Sequence, residues 1–109
     1  MNKEEDNKKN NKHKKEEKKE IQLDMNEKIA QGAYSNLTLS NVNQEEFIMD
    51  FVFLQPHVNK GQVQSRIIMT PKNVKRLINM LGKQLTEYEK NVGPIDDEPQ
   101  LPSIDLNFN

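Results

Sequence analysis

The sequence contains no cysteine and no tryptophan, and only two histidines and four glycines. Without cysteine it can form neither a disulfide framework nor a thiolate metal site, which is typical of a protein from a reducing compartment. The glycines lie apart, so they form no glycine-rich loop that could bind phosphate; they are Gly32, Gly61, Gly82 and Gly93. We therefore expect a cytoplasmic protein without these metal and cofactor motifs.

Long hydrophobic runs are also absent. The longest apolar stretch, residues 48–54, is interrupted by Asp50. A membrane helix needs about 20 mainly apolar residues, and a signal peptide needs about 7 or more after its basic start. The sequence predicts neither, and we expect no membrane partner.

Residues that could carry catalysis are few. His13 lies in a highly charged segment and His57 in a predicted loop, and the four serines show no spacing typical of a nucleophile and its base. The sequence therefore predicts no catalytic residue, no cofactor and no metal. We expect a protein that is not an enzyme.

The composition divides the 109 residues into three segments. Residues 1–20 are almost entirely charged or polar, with Met1 as their only apolar residue, and predict a disordered tail. Residues 21–93 hold most of the apolar side chains and predict a single domain. Residues 94–109 contain prolines and four acids, and predict a flexible acidic tail.

Alternating apolar and polar residues predict strands at 34–40, 47–55 and 62–69, with a weaker one at 21–25. A hairpin loop is expected at 56–61. In the second strand one face is wholly apolar. We call it the phenylalanine face; its residues are Phe47, Met49, Phe51 and Phe53.

A long helix follows the strands. Thr70 is a typical N-cap, Pro71 fits the first helical position, and Gly93 with Pro94 ends the helix. Its apolar residues fall within about 100° of the helix surface, a width typical of a helix that packs on a core. This helix stripe consists of Val74, Leu77, Ile78, Leu81, Leu85, Tyr88 and Val92. The predicted fold is α+β: an antiparallel three- to four-stranded meander followed by one long amphipathic helix packed on one sheet face, the phenylalanine face.

The opposite sheet face carries a charge. If Phe47 lies opposite Met69 and Phe53 opposite Val63, Asp50 lies opposite Arg66. Since the other residues of this face are apolar and the helix covers only one side, we expect a homodimer in which two such faces pack together. An ion pair at a solvated edge is the alternative. The predicted interface consists of Ile48, Asp50, Val52, Leu54, Arg66 and Ile68.

The helix begins with basic residues, the reverse of the charge order that its dipole favours. We hypothesise that this end meets an anionic partner, either the chain's own acids at 96–98 or an external phosphate or acidic protein surface. A solvated surface is the plainer interpretation. The basic patch consists of Lys72, Lys75, Arg76 and Lys83.

The C-terminal tail ends in an alternating pattern. Ile104, Leu106 and Phe108 alternate with polar residues and could add to a sheet edge in this protein or in a partner. A frayed terminus is the alternative interpretation.

Five strings of residues stand out in a fixed order along the chain: Tyr34–Leu37, Glu46–Pro56, Ser65–Pro71, Lys75–Leu77 and Tyr88–Glu89. Together they resemble a family of small bacterial and archaeal proteins known as the domain of unknown function DUF3467. The resemblance covers about residues 30–93 and leaves both tails outside. It implies an intracellular prokaryotic protein with no assigned activity.

The sequence thus favours a non-enzymatic interaction or assembly module, homodimeric and with an unknown protein partner. One alternative is a nucleic-acid-associated protein that uses the basic patch, although the nearly neutral domain makes nucleic acid the less favoured partner. The other alternative is a chaperone-like adaptor that presents an apolar sheet surface to extended chains.

Overall fold

The computed structural model describes residues 18–96 and 105–108. The chain divides into two compact units, Met1–Gly32 and Ala33–Asn109. Most of the segment predicted to be disordered, residues 1–20, lies outside the described residues, as does Ile104 of the tail motif.

Within the first unit, residues 18–32 contain one helical turn, α1 (Glu27–Ala30). The Asn26 side chain caps it by accepting a hydrogen bond from the Ile29 N–H at 2.8 Å. Residues 21–25 are not in a strand, and their apolar side chains are exposed. The fourth strand is therefore not confirmed, since alternation over five residues does not hold a strand without backbone pairing.

The second unit contains a three-stranded antiparallel sheet of β1 (Leu37–Val42), β2 (Phe47–Leu54) and β3 (Gly61–Met69) in the order β1-β2-β3. This is the predicted meander. Phe47 lies opposite Met69 and Asp50 opposite Arg66, as the sequence predicts.

A β-bulge in β3 changes the register beyond that point. Phe51 pairs with Ser65 but Val52 pairs with Val63, so Gln64 is an extra residue. The predicted pairing of Phe53 with Val63 is therefore wrong, and Phe53 lies opposite Gln62. Because a bulge shifts the alternation by one residue, Val63 moves to the face that carries Asp50 and Val52.

Side chains extend the pairing of β1 with β2 before β1 begins. The Asn36 side-chain amide donates to the Leu54 carbonyl at 2.9 Å, and its Oδ1 accepts from the Leu54 N–H at 2.7 Å. The Ser35 hydroxyl lies 3.1 Å from the carbonyls of both Leu37 and Val52. The Asn36 backbone N–H also donates to the Val52 carbonyl at 3.0 Å, so residues 35 and 36 are held beside β2 although the strand itself starts at Leu37 and not at the predicted residue 34.

The long helix α2 (Pro71–Asn91) has the predicted ends. Thr70 Oγ1 accepts from the Asn73 N–H at 3.3 Å, and Pro71 takes the first turn. After the helix, Gly93 has a φ of +137°, a conformation that favours glycine and ends the helix.

The predicted packing of α2 along a sheet face is not confirmed. Val74 is buried and Leu77 half-buried, but beyond them the stripe is exposed and the helix does not lie along the sheet. The buried residues of the sheet lie on the Asp50 face: Leu37, Asp50 and Val52. The phenylalanine face is only half-buried, because α2 does not fold back over it.

Candidate functional site

Asp50 and Arg66 form the ion pair that the strand register predicts. Arg66 Nε donates to Asp50 Oδ1 at 2.7 Å and Arg66 Nη2 donates to Asp50 Oδ2 at 2.9 Å, so the ion pair is bidentate. The Asp50 side chain is 7% exposed, whereas that of Arg66 is 58% exposed. The carboxylate is therefore fixed within the sheet face, while the guanidinium remains accessible to a partner.

The pair lowers the pKa of Asp50 below its ordinary value of 3.8, chiefly through the hydrogen bonds from Arg66 and also through its positive charge; desolvation acts in the opposite direction. The same contact raises the pKa of Arg66. The unfolded chain takes up the Asp50 proton at a higher pH than the folded chain does. The contribution of the ion pair to stability is therefore complete above the ordinary pKa of Asp50, and it is lost as the pH falls through the lowered pKa.

We expect Asp50→Asn to be less stable than the wild type at pH 7, and this difference to shrink at acid pH. The reason is that the wild-type carboxylate is protonated as the pH falls below about 3.8 and through the lowered pKa. Urea unfolding from pH 7 to pH 2 measures both proteins. Asp96→Asn removes an exposed carboxylate and serves as control. A difference between wild type and Asp50→Asn that stays constant with pH would contradict the assignment.

The structure separates the six predicted interface residues by exposure. Asp50 and Val52 are already buried in the single chain, and Ile48 and Leu54 are half-buried. Arg66 and Ile68, on the edge strand β3, are exposed. The centre of this face is thus covered without a partner, and its β3 side is not.

The helix stripe is an exposed apolar surface of the described chain. Five of its residues are between 49% and 68% exposed: Ile78, Leu81, Leu85, Tyr88 and Val92. Isolated helices in water gain most of their stability from packing of such a face. The stripe is therefore a candidate contact surface.

The basic patch is exposed along its whole length. Arg76 Nη1 donates to Asn73 Oδ1 at 3.3 Å, and among residues 18–96 and 105–108 no ion pair involves the patch. At the other end of α2, Glu89 Oε2 accepts from the Ile95 N–H at 3.1 Å, so this acid anchors the chain that leaves the helix. That contact gives Glu89 a structural role near the helix end.

A groove of about 1010 Å³ lies on the Asp50 face, at the end of the sheet near the β2–β3 loop. Leu37, Leu39, Val52, Leu54 and Val63 line one part of it. The C-terminal residues 105–108, which include Leu106 and Phe108, line another part. The structure thus brings two residues of the tail motif beside the sheet, although residues 105–108 form no strand.

His57 lies in the β2–β3 loop with a φ of +67° and is exposed. Within the described part of the chain, no group of three or more histidine or acidic side chains could hold a metal ion. Among the described helices, none is long and apolar enough to cross a membrane.

A family model described as "Protein of unknown function (DUF3467)" matches residues 1–97. The chain belongs to this family. The match begins at residue 1, so the expectation that the N-terminal tail lies outside the family was wrong. No curated protein and no solved structure matches the chain.

The sequence did not predict the groove, because the groove depends on the β-bulge in β3. The bulge places Val63 beside Val52, and pairing places Leu37 on the other side, which makes one apolar row across three strands. The sequence indicates this bulge only weakly, because Val63 has a glutamine on each side, Gln62 and Gln64. Gly61 is the clearer signal: a Cβ there would lie 2.6 Å from Leu54 Cδ2, so glycine leaves room for that side chain in the groove wall.

Proposed function

We propose that the protein is a cytoplasmic, non-enzymatic interaction module that assembles as a homodimer. The observation that supports this most directly is the exposure of the α2 stripe beyond Leu77. Buried apolar residues are few in the described chain, namely Leu37, Val52 and Val74, and no large side chain there is fully buried. Such a small core gives a marginal monomer.

The sequence of α2 also supports a partner. Gly82 in its interior costs about 1 kcal/mol relative to alanine. The basic residues in its first turns cost a further ~0.3 to 1 kcal/mol each through the helix dipole. A helix with these costs needs its apolar stripe packed, and beyond Leu77 that stripe is exposed in the single chain.

A second copy supplies a matching surface. The phenylalanine face is half-buried in the single chain, and Ile67 beside it on β3 is exposed. We propose that the stripe of each copy packs on the phenylalanine face of the other, so that the predicted packing of helix on sheet occurs between chains. This places the contact on the phenylalanine face and not on the Asp50 face, whose centre is already covered.

Light scattering at micromolar concentration tests the dimer. The expected mass is twice the 12.7 kDa of one chain, with a melting temperature that rises with protein concentration because dimerisation stabilises the folded state. A mass of one chain, with a melting temperature independent of concentration, would rule out the dimer.

A second candidate function is nucleic-acid association through the basic patch. The exposure of Lys72, Lys75, Arg76 and Lys83, free of ion pairs to described residues, favours it. Binding of this kind weakens steeply as salt increases, since it releases counterions from phosphates. A gel-shift titration of mixed-sequence DNA and RNA between 50 and 200 mM salt, roughly the range over which such contacts weaken, measures it. Binding that Lys75→Glu with Arg76→Glu abolishes would support this function over the protein-interaction module.

The chaperone-like adaptor differs from the dimer in what its apolar surface contacts. In the dimer the phenylalanine face is covered by the stripe of the other copy, whereas an adaptor leaves this apolar sheet surface accessible to unfolded chains. Suppression of aggregation of an unfolded client by the wild type would favour the adaptor.

A further inference from the structure

The groove on the Asp50 face is the best-covered apolar site of the sheet. Two of its wall residues, Leu37 and Val52, are among the few buried apolar side chains of the described chain. Val63 completes this row and is exposed at the edge strand. The groove therefore has a closed side at β1 and β2 and an open side at β3.

The C-terminal segment lies at this groove. Leu106 and Phe108 line it together with the sheet residues. Leu106 is 43% and Phe108 65% exposed, less than Leu23, an apolar residue in the segment before α1 that is 88% exposed. The same groove is lined by Lys60 from the β2–β3 loop and by Asp105 from the tail, residues of opposite charge.

The tail is long enough to reach the groove from the end of α2. Residues 93–104 can span about 40 Å when extended. The 21 residues of α2 extend for roughly 30 Å at 1.5 Å per residue. The chain can therefore return past the whole length of the helix.

We infer that the groove is a docking site for a short extended peptide with alternating apolar residues, and that the chain's own C-terminal segment occupies it. Residues 105–108 and the sheet line the groove together, and no hydrogen bond within the described residues joins 105–108 to a strand. The contact differs in this respect from strand addition to a sheet edge. The inference does not depend on the dimer.

The family match includes the sheet that forms the groove and excludes the tail segment proposed to occupy it. The sheet and loop residues of the groove lie within the matched residues 1–97, whereas residues 105–108, which also line it, lie beyond them. The groove thus belongs to the family domain, and the tail acts as a tethered ligand. A tether of this kind holds the segment at roughly millimolar effective concentration, so a peptide in solution has to compete with it.

The test uses the full chain and a labelled synthetic peptide with the sequence of residues 102–109. Leu106→Asn with Phe108→Asn frees the groove without changing charge. Ile95→Asn is the matched control, because it makes the same kind of change at an exposed apolar residue of the tail that does not line the groove. We expect the double variant to bind the peptide at least tenfold more tightly than wild type or control in fluorescence anisotropy, because the tethered competitor is removed.

The groove itself is tested by two neighbouring substitutions on β3, each added to the double variant. Val63→Lys places a charge in the groove, whereas Gln64→Lys places one at the exposed bulge residue, which does not line the groove. We expect Val63→Lys to abolish peptide binding and Gln64→Lys to leave it unchanged.

Amide spectra of the wild type and the two tail variants provide a readout that does not need the peptide. Leu106→Asn with Phe108→Asn is expected to shift the signals of Leu37, Val52 and Val63, and Ile95→Asn to leave them in place. Equal peptide binding by wild type and double variant, binding that Val63→Lys does not affect, or unchanged groove signals would each overturn the inference.

Discussion

Replacing Leu81 and Leu85 of the helix stripe by glutamate is expected to convert the dimer to a monomer. Both side chains are about half exposed in the single chain, and both are buried in the proposed contact. Placing a carboxylate without a partner in an apolar contact costs several kcal/mol. Two such changes should raise the dissociation constant by at least roughly 100-fold, since each 1.4 kcal/mol is a factor of ten.

Glutamate is a good helix former, so α2 itself should tolerate the change. The matched control is Asn79→Glu with Thr86→Glu, which adds the same two charges outside the helix stripe, where both residues are exposed. Sedimentation velocity measures all three proteins. If Leu81→Glu with Leu85→Glu sediments like the control, the stripe is not the contact.

The second large effect is expected from the core of the sheet. Leu37 pairs with Val52, and both are buried. Leu37→Ala should destabilise the protein by about 2 to 5 kcal/mol through lost apolar burial and the cavity left behind. For a domain of this size that corresponds to a fall in melting temperature of roughly 10 °C or more. Thermal unfolding followed by circular dichroism at one protein concentration measures it.

Val42→Ala is the control for this substitution, because Val42 lies at the other end of β1 and is exposed. It should change the melting temperature by only a few degrees, as surface substitutions usually stay within about 0.5 kcal/mol. If both substitutions have equal effects, the core does not lie at the β1 end that carries Leu37.

The elements of this fold are predictable because their signals are local. Alternation defines the three strands, and Thr70 with Pro71 defines the start of α2. The register between β2 and β3 follows from matching Phe47 to Met69, and it brings Asp50 to Arg66. These features depend on side chains a few residues apart or on one hairpin.

The arrangement of those elements is less predictable. Both faces of β2 are apolar, so the sequence does not distinguish the face that is buried from the one that is half-buried. The direction of α2 depends on contacts distant in sequence, and the prediction placed its stripe on the chain's own sheet. The bulge at Gln64 changes no apolar pattern visible in the sequence, yet it moves Val63 into the groove.

The central claim is that the stripe of α2 packs on the phenylalanine face of a second copy. Isotope-filtered NMR on a mixture of labelled and unlabelled chains measures contacts between copies alone. We predict cross-peaks from the Leu81 and Leu85 methyl groups of one copy to the Phe51 ring and Ile67 methyl group of the other. A dimer without such cross-peaks, or a protein that shows contacts only within one chain, would contradict the claim.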